Sequence, residues 1–255
     1  MSRNYITFDN TDLRDFGLYI SGSNVFNAPE RAYNEITIPG RNGVLLGSER
    51  RLNNIEVVYP SFIYTNFKVN CAGLRSFLLS KVGYKKLIDT YHPTEYRLGF
   101  YAGGLDAEMT TKLDAGQFDL TFNCKPQRFL LSGDTPVTLT ASGTVNNPTL
   151  FDAQPLIRVY GTGSIVVNGV TITISEADGY TDIDCEVMEC YKGNVLKNYA
   201  VSLDSVDFPV LSPGNNTIGF DGVTSAVITP RWWTLCYRFY FIIQKPHLHQ
   251  TVFVD

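Results

Sequence analysis

Histidine, tryptophan and methionine are scarce in this chain, with three, two and three copies in 255 residues, and their scarcity excludes much chemistry. His92 stands in a His-Pro turn, while His247 and His249 lie near the C-terminus, so no histidines combine into a ligand set. The five cysteines, Cys71, Cys124, Cys185, Cys190 and Cys236, are odd in number and lack close, regular pairing. That pattern predicts reduced, buried thiols rather than a disulfide framework, and Cys185 and Cys190 have no matching Cys or His pair to make a zinc site. There is no P-loop, no G-x-S-x-G elbow and no G-x-G-x-x-G turn. No cofactor, metal or catalytic residue is expected, and the chain is read as no enzyme.

Long apolar runs are missing as well. The late stretch Tyr237–Ile243 is far too short to span a membrane. No basic-then-apolar leader opens the sequence, which predicts folding in the cytoplasm without membrane association. Charge is sparse, at 18% of residues, and unevenly divided. Residues 1–131 carry 15 Lys+Arg against 13 Asp+Glu, giving +2, and residues 132–255 carry 6 against 12, giving −6. Neither half has the clustered basic stripe of a nucleic-acid-binding surface.

What is plentiful points to strands. Fifteen Tyr and 16 Phe suit a pleated, half-buried surface, and 21 Gly with 12 Pro punctuate it. Alternation predicts strands at Glu35–Ile38, Leu52–Tyr59, Lys86–Thr90, Glu95–Ala102 and Gln117–Lys125. One stretch breaks the rhythm: Phe67, Cys71, Leu74 and Leu78 form a helical stripe within residues 66–81. Thr65 or Asn66 is placed to cap it and Gly83 lies just past its end. Residues 132–148, rich in Ser, Thr, Gly, Asn and Pro, mark a domain boundary near their start. Beyond them come Leu156–Tyr160, Ser164–Val167, Val170–Ile174 and Asp182–Val187. Asn168-Gly169 between two alternating runs is a hairpin signal, and closely spaced strands without helices predict an antiparallel sandwich.

Two features invite a functional reading. Pro39-Gly40-Arg41-Asn42-Gly43 is a turn-rich loop in which Arg41, flanked by glycines, offers a fork-shaped donor to a carboxylate of a neighbour, or else decorates a surface turn. Asp182, Asp184 and Glu186 share one face of a strand, as a carbohydrate-active enzyme or a calcium site would want; the plainer reading is a solvated outer face.

Three islands carry a resemblance: residues 38–45 (Ile-Pro-Gly-Arg-Asn-Gly-Val-Leu), Phe118–Arg128, and Phe208–Asn216 closing in Pro230-Arg231-Trp232-Trp233-Thr234-Leu235. In this order and spacing the chain resembles the distal tail proteins (Dit) of long-tailed, non-contractile bacteriophages and prophages, the siphovirus tail-tip hub. The resemblance implies a mainly β fold, with an N-terminal β-sandwich or barrel-like ring-forming domain (1–131) carrying one α-helix. A galectin-like antiparallel β-sandwich (132–235) follows, then a C-terminal extension (236–255) beyond the expected end. It further implies a homo-hexameric ring in the virion tail tip, in isolation two stacked rings. The ring joins the tail tube protein to the tail-associated protein and receptor-binding apparatus, and DNA passes through its channel without specific binding.

On that reading Arg41, Leu45 and Leu46 are candidate subunit-interface residues. Trp232 and Trp233, adjacent on a strand and so facing opposite ways, are candidates for an inter-domain or subunit contact. The rival class is a carbohydrate-binding module of the host-recognition machinery, which needs an exposed aromatic platform on the second domain. No connection here is long enough to hold the inserted carbohydrate-binding module that some family members carry. A hydrolase built on Asp182, Asp184 or Glu186 is the third reading.

Overall fold

The computed structural model describes residues 3–22, 27–110 and 114–235. The expected extension 236–255, with Cys236, His247 and His249, lies outside the described residues. The fold is mainly β, with antiparallel sheets and one α-helix among the described residues.

The first body is a sheet whose main path runs Thr11–Asp12, Ile6–Phe8, Lys85–Asp89, Glu95–Phe100, Ala115–Cys124, Ile55–Ile63, Leu18–Ile20. Alternation drives it: in Ile55–Ile63 every second residue, Ile55, Val57, Tyr59, Ser61 and Ile63, points inward. That strand pairs over nine positions with Ala115–Cys124, from Gly116 opposite Ile63 to Cys124 opposite Ile55. The helix Phe67–Ser80 lays Phe67, Cys71, Leu74 and Leu78 into the same core as Phe8, Leu120 and Phe122. Every described member of this core lies between Ile6 and Cys124.

The expected helix cap is not what begins the helix. Asn66 sits in the left-handed region (φ 50°) and its side chain makes no capping bond. Instead the Phe67 N–H donates to the Asp114 carbonyl at 3.2 Å, so a neighbouring loop satisfies one of the N-terminal donors that the helix itself leaves unpaired.

The expected strand Leu52–Tyr59 is two strands. Val44–Leu52 pairs with Arg31–Thr37 in a two-stranded ladder of its own, and Ile55–Ile63 belongs to the large sheet. The break falls at Asn53-Asn54 for a reason. The Asn53 N–H donates to the Glu30 carbonyl at 2.8 Å, closing the base of the hairpin. The Asn54 amide donates to the Tyr84 hydroxyl (2.6 Å) and to Asn123 Oδ1 (2.7 Å), tying the chain back to the body.

The second body has two sheets. One runs Val137–Leu139, Ser225–Thr229, Leu156–Tyr160, Tyr180–Asp184, Glu189–Lys192, Val195–Leu196; the other runs Gly143–Asn147, Gly214–Asp221, Gly163–Val167, Val170–Ile174, Val201–Leu203. Ile157, Val159, Ile183 and Ile228 of the first sheet and Ile165, Val167, Ile172 and Ile218 of the second share one core with Trp232. Two strands, Val137–Leu139 and Gly143–Asn147, arise inside the stretch read as boundary-rich. The Asn168-Gly169 signal holds: both residues have positive φ (50° and 90°) and Val167 pairs with Val170 around them.

One strand joins the bodies. Arg128–Leu130 pairs on one side with Glu95–Phe100 and on the other with Trp233–Thr234. The end of the described chain therefore returns from the second core to the large sheet.

Candidate assembly surface

The hairpin Arg31–Thr37/Val44–Leu52 is an arm. Among the described residues its two strands form a ladder with each other and with no third strand, and a bulge lies between Arg31 and Tyr33. Residues opposite one another across the ladder share a face, so Ile36 and Leu45 lie on one face, and Leu46 and Val44 on the other. Both faces are open: Ile36 is 50% exposed, Leu45 51% and Leu46 61%. An isolated two-stranded ribbon is marginal in water, and this one has no described sheet or helix over its apolar faces.

The tip contains Arg41. Gly40 and Gly43 take φ of 78° and 80°, conformations closed to most side chains, and open space surrounds the position where a Cβ would sit on either. The Arg41 N–H closes a turn on the Ile38 carbonyl at 3.1 Å. Its side chain is exposed and has no ion-pair partner among the described residues. The structure thus brings Arg41, Leu45 and Leu46 together on one projecting element. Sequence reading placed the loop but missed the second strand, because Val44–Leu52 has Gly47, Ser48 and three charges where alternation would put apolar residues.

Trp232 lies just before the strand Trp233–Thr234, and both indoles pack against the second core. Trp232 is 5% exposed inside the second core. Trp233 is half-buried beside it, with its ring stacked on Phe151 at 4.4 Å and its indole N–H donating to the Asp152 carbonyl at 2.8 Å. Its backbone pairs with Phe129 of the joining strand.

The acidic run departs from expectation. The strand is Tyr180–Asp184, ending before Val187, and Asp182 and Asp184 are buried rather than solvated. Arginines cover them. Arg158 donates from Nε and Nη2 to Asp182 at 2.7 and 2.9 Å, and Arg231 donates from Nη1 and Nη2 to Asp184 at 2.7 and 2.9 Å. Glu186 lies 3.6 Å from Arg231 and accepts from Lys125 Nζ at 2.8 Å, a contact between the end of a large-sheet strand and the second body. Burial pushes the Asp184 carboxyl up, but the Arg231 guanidinium and the Glu186 and Val187 N–H groups outweigh it and hold it below the usual carboxylate range. Carboxylates committed to arginines in this way are poor general acids and poor metal ligands. No group of three or more candidate metal ligands occurs among the described residues.

A constellation that sequence reading missed lies in the first core. The Tyr59 hydroxyl donates to Asp89 Oδ2 at 3.0 Å, and His92 Nδ1 lies 2.9 Å from Asp89 Oδ1. All three are 6% exposed or less, so no substrate reaches them, and their bonds pin the turn after Lys85–Asp89 to the sheet. The four described cysteines are free and buried, and burial raises the Cys124 and Cys185 thiols to about 12 and Cys190 to about 11. They stay protonated and unreactive at neutral pH. No described helix is long and apolar enough to cross a membrane.

No family model and no curated protein matches the sequence. Solved structures do. The Dit protein of phage SPP1, described as a paradigm of the hub adsorption apparatus of phages infecting Gram-positive bacteria, superposes with a TM-score of 0.66. It is 17% identical, and the match covers 89% of this chain and 98% of that one. The phage P2 baseplate in its activated conformation with Ca gives 0.49 at 12% identity, covering 89% and 98%; with Sr it gives 0.48 at 11%, covering 89% and 97%. The chain has a Dit-like fold.

Proposed function

We propose that this chain is a distal tail hub protein of a long-tailed, non-contractile phage or prophage. It assembles as a homo-hexameric ring in the virion tail tip, in isolation as two stacked rings. The ring sits between the tail tube protein and the tail-associated protein and receptor-binding apparatus, and its channel passes DNA without specific contacts. Residues 1–131 form the ring, and residues 132–235 form a galectin-like sandwich that projects from it. The role is structural, not enzymatic.

One observation carries the reading: the uncovered arm with Arg41, Leu45 and Leu46 exposed on an isolated ribbon. Such an element gains its stability from a neighbour, and a ring supplies one at every step without leaving a free edge. The Dit-like fold over 89% of the chain supports the choice of a tail hub.

The carbohydrate-binding rival loses its best residues, since Trp232 is buried and Trp233 is stacked on Phe151. The hydrolase reading loses Asp182 and Asp184 to their arginines. Light scattering after size exclusion tests the proposal: six or twelve chain masses are expected, and a monomer at high concentration and low salt overturns it.

A further inference from the structure

A ring built from one chain needs two different surfaces, a donor and an acceptor, on every protomer. The arm is the donor in the reading above. The outer face of the large sheet has the features of an acceptor. There an open trough of about 510 Å³ lies over Pro60 and Phe62, with Asp106, Glu108 and Asp119 around it. The three carboxylates are exposed, and none has an ion-pair partner among the described residues. The apolar floor continues sideways, where Phe62 stacks on Tyr19 at 5.9 Å and meets Tyr64 at 4.7 Å.

The arm offers the matching chemistry. It carries Ile36 and Leu45 on one face for an apolar floor, and at its tip Arg41, without an ion-pair partner among the described residues, for an acidic rim. No arm residue lines the trough of its own chain, although Ser21 at the trough's edge precedes the arm by about ten residues. We infer that the arm of one protomer docks on the outer face of the large sheet of the next, with the Ile36 and Leu45 face over Pro60 and Phe62 and Arg41 among Asp106, Glu108 and Asp119. The occupant is a second copy of this chain, and the contact is heterologous. The inference rests on the ring reading, and it names the surface that reading leaves unassigned.

Charge reversal tests both. Arg41→Glu and Asp119→Arg each place like charges across the contact, and each is expected to shift the assembly's midpoint concentration upward by about ten-fold or more. Both sites are exposed and unpaired, so thermal unfolding of the separated subunit should be unchanged. Mixing the two variants, or combining both changes in one chain, should restore the native mass, because residue 41 of each arm then meets a residue 119 of opposite sign. Asp106→Arg is the second acceptor variant should Asp119→Arg not fold. If the acceptor variants keep the native mass while Arg41→Glu loses it, the arm docks elsewhere and the ring reading stands. Loss in both single variants without recovery on mixing also overturns the pairing. A native protein that is itself monomeric sinks the ring reading, and this inference with it.

Discussion

Asp184 is gripped by Arg231 at 2.7 and 2.9 Å, and Arg231 in turn holds an uncommon left-handed backbone at φ 58°. A non-glycine residue in that region persists where its surroundings fix it. The fixing here is mutual: the Arg231 N–H donates to the Gly133 carbonyl at 2.9 Å, and the Leu130 N–H donates to the Trp232 carbonyl at 2.8 Å. Two predictions follow at this scale. Asp184→Asn takes from a mostly buried guanidinium its two hydrogen-bonded carboxylate contacts, leaving only Glu186 at 3.6 Å, and should cost about 3 kcal/mol at neutral pH, measured by urea unfolding. Because the folded carboxyl titrates below its ordinary value, its contribution is complete above the unfolded pKa of about 4 and is lost as pH falls through the folded value. The stability gap between native and variant should therefore close in acid; a gap that persists unchanged at pH 2 would show that the ion pair is not its source. Gly133→Ala is the second. An added Cβ would lie 2.4 Å from the Trp232 backbone nitrogen, a contact that must be relieved by moving backbone. A loss of about 1–3 kcal/mol is expected, and a variant as stable as the native protein would mean that this junction is pliable.

At the scale of elements, the helix and the arm differ in how far sequence discloses them. The Phe67/Cys71/Leu74/Leu78 stripe is periodic because one helix face meets one core, so spacing alone gives the element and its buried side. The arm has no core, and without a buried face there is no period to read. Its signals are the Pro39–Gly43 tip and the later surprise of exposed Leu45 and Leu46. The carboxylates of Tyr180–Asp184 failed differently. Alternation correctly put Asp182 and Asp184 opposite Ile183, but it cannot report that Arg158 and Arg231, distant in sequence, close over the outer face. For the arm, Arg41→Ala should leave each subunit's fold intact and weaken the ring, most visibly on dilution. Losing one partner of a charge-assisted contact costs about 2–5 kcal/mol per interface, and a closed ring repeats the loss at each one. An assembly equally resistant to dilution in both proteins would reduce Arg41 to a surface charge on a turn.

At the scale of the molecule, two cores meet through a three-strand splice, in which Arg128–Leu130 lies between Glu95–Phe100 and the returning Trp233–Thr234. Side chains reinforce the splice: Lys125 reaches Glu186 at 2.8 Å, Lys86 pairs with Asp134, and the Tyr96 hydroxyl donates to Asp134 at 2.8 Å. The second body is therefore held by backbone ladder as well as by ion pairs. Yet the described first core draws on residues 6–124 alone, so cutting after residue 131 removes none of it. The cut does remove the partners of Arg128 and Phe129 on one side, exposing a strand edge and lowering stability. Arm and trough both lie before the cut. A chain of residues 1–131 should accordingly melt at lower temperature than the full protein and still assemble to the same number of subunits, as read by light scattering. Circular dichroism must first show that it is folded. A folded 1–131 chain that runs as a monomer, beside a full-length hexamer, would move the ring-forming surface into the second body and leave the arm without its proposed role.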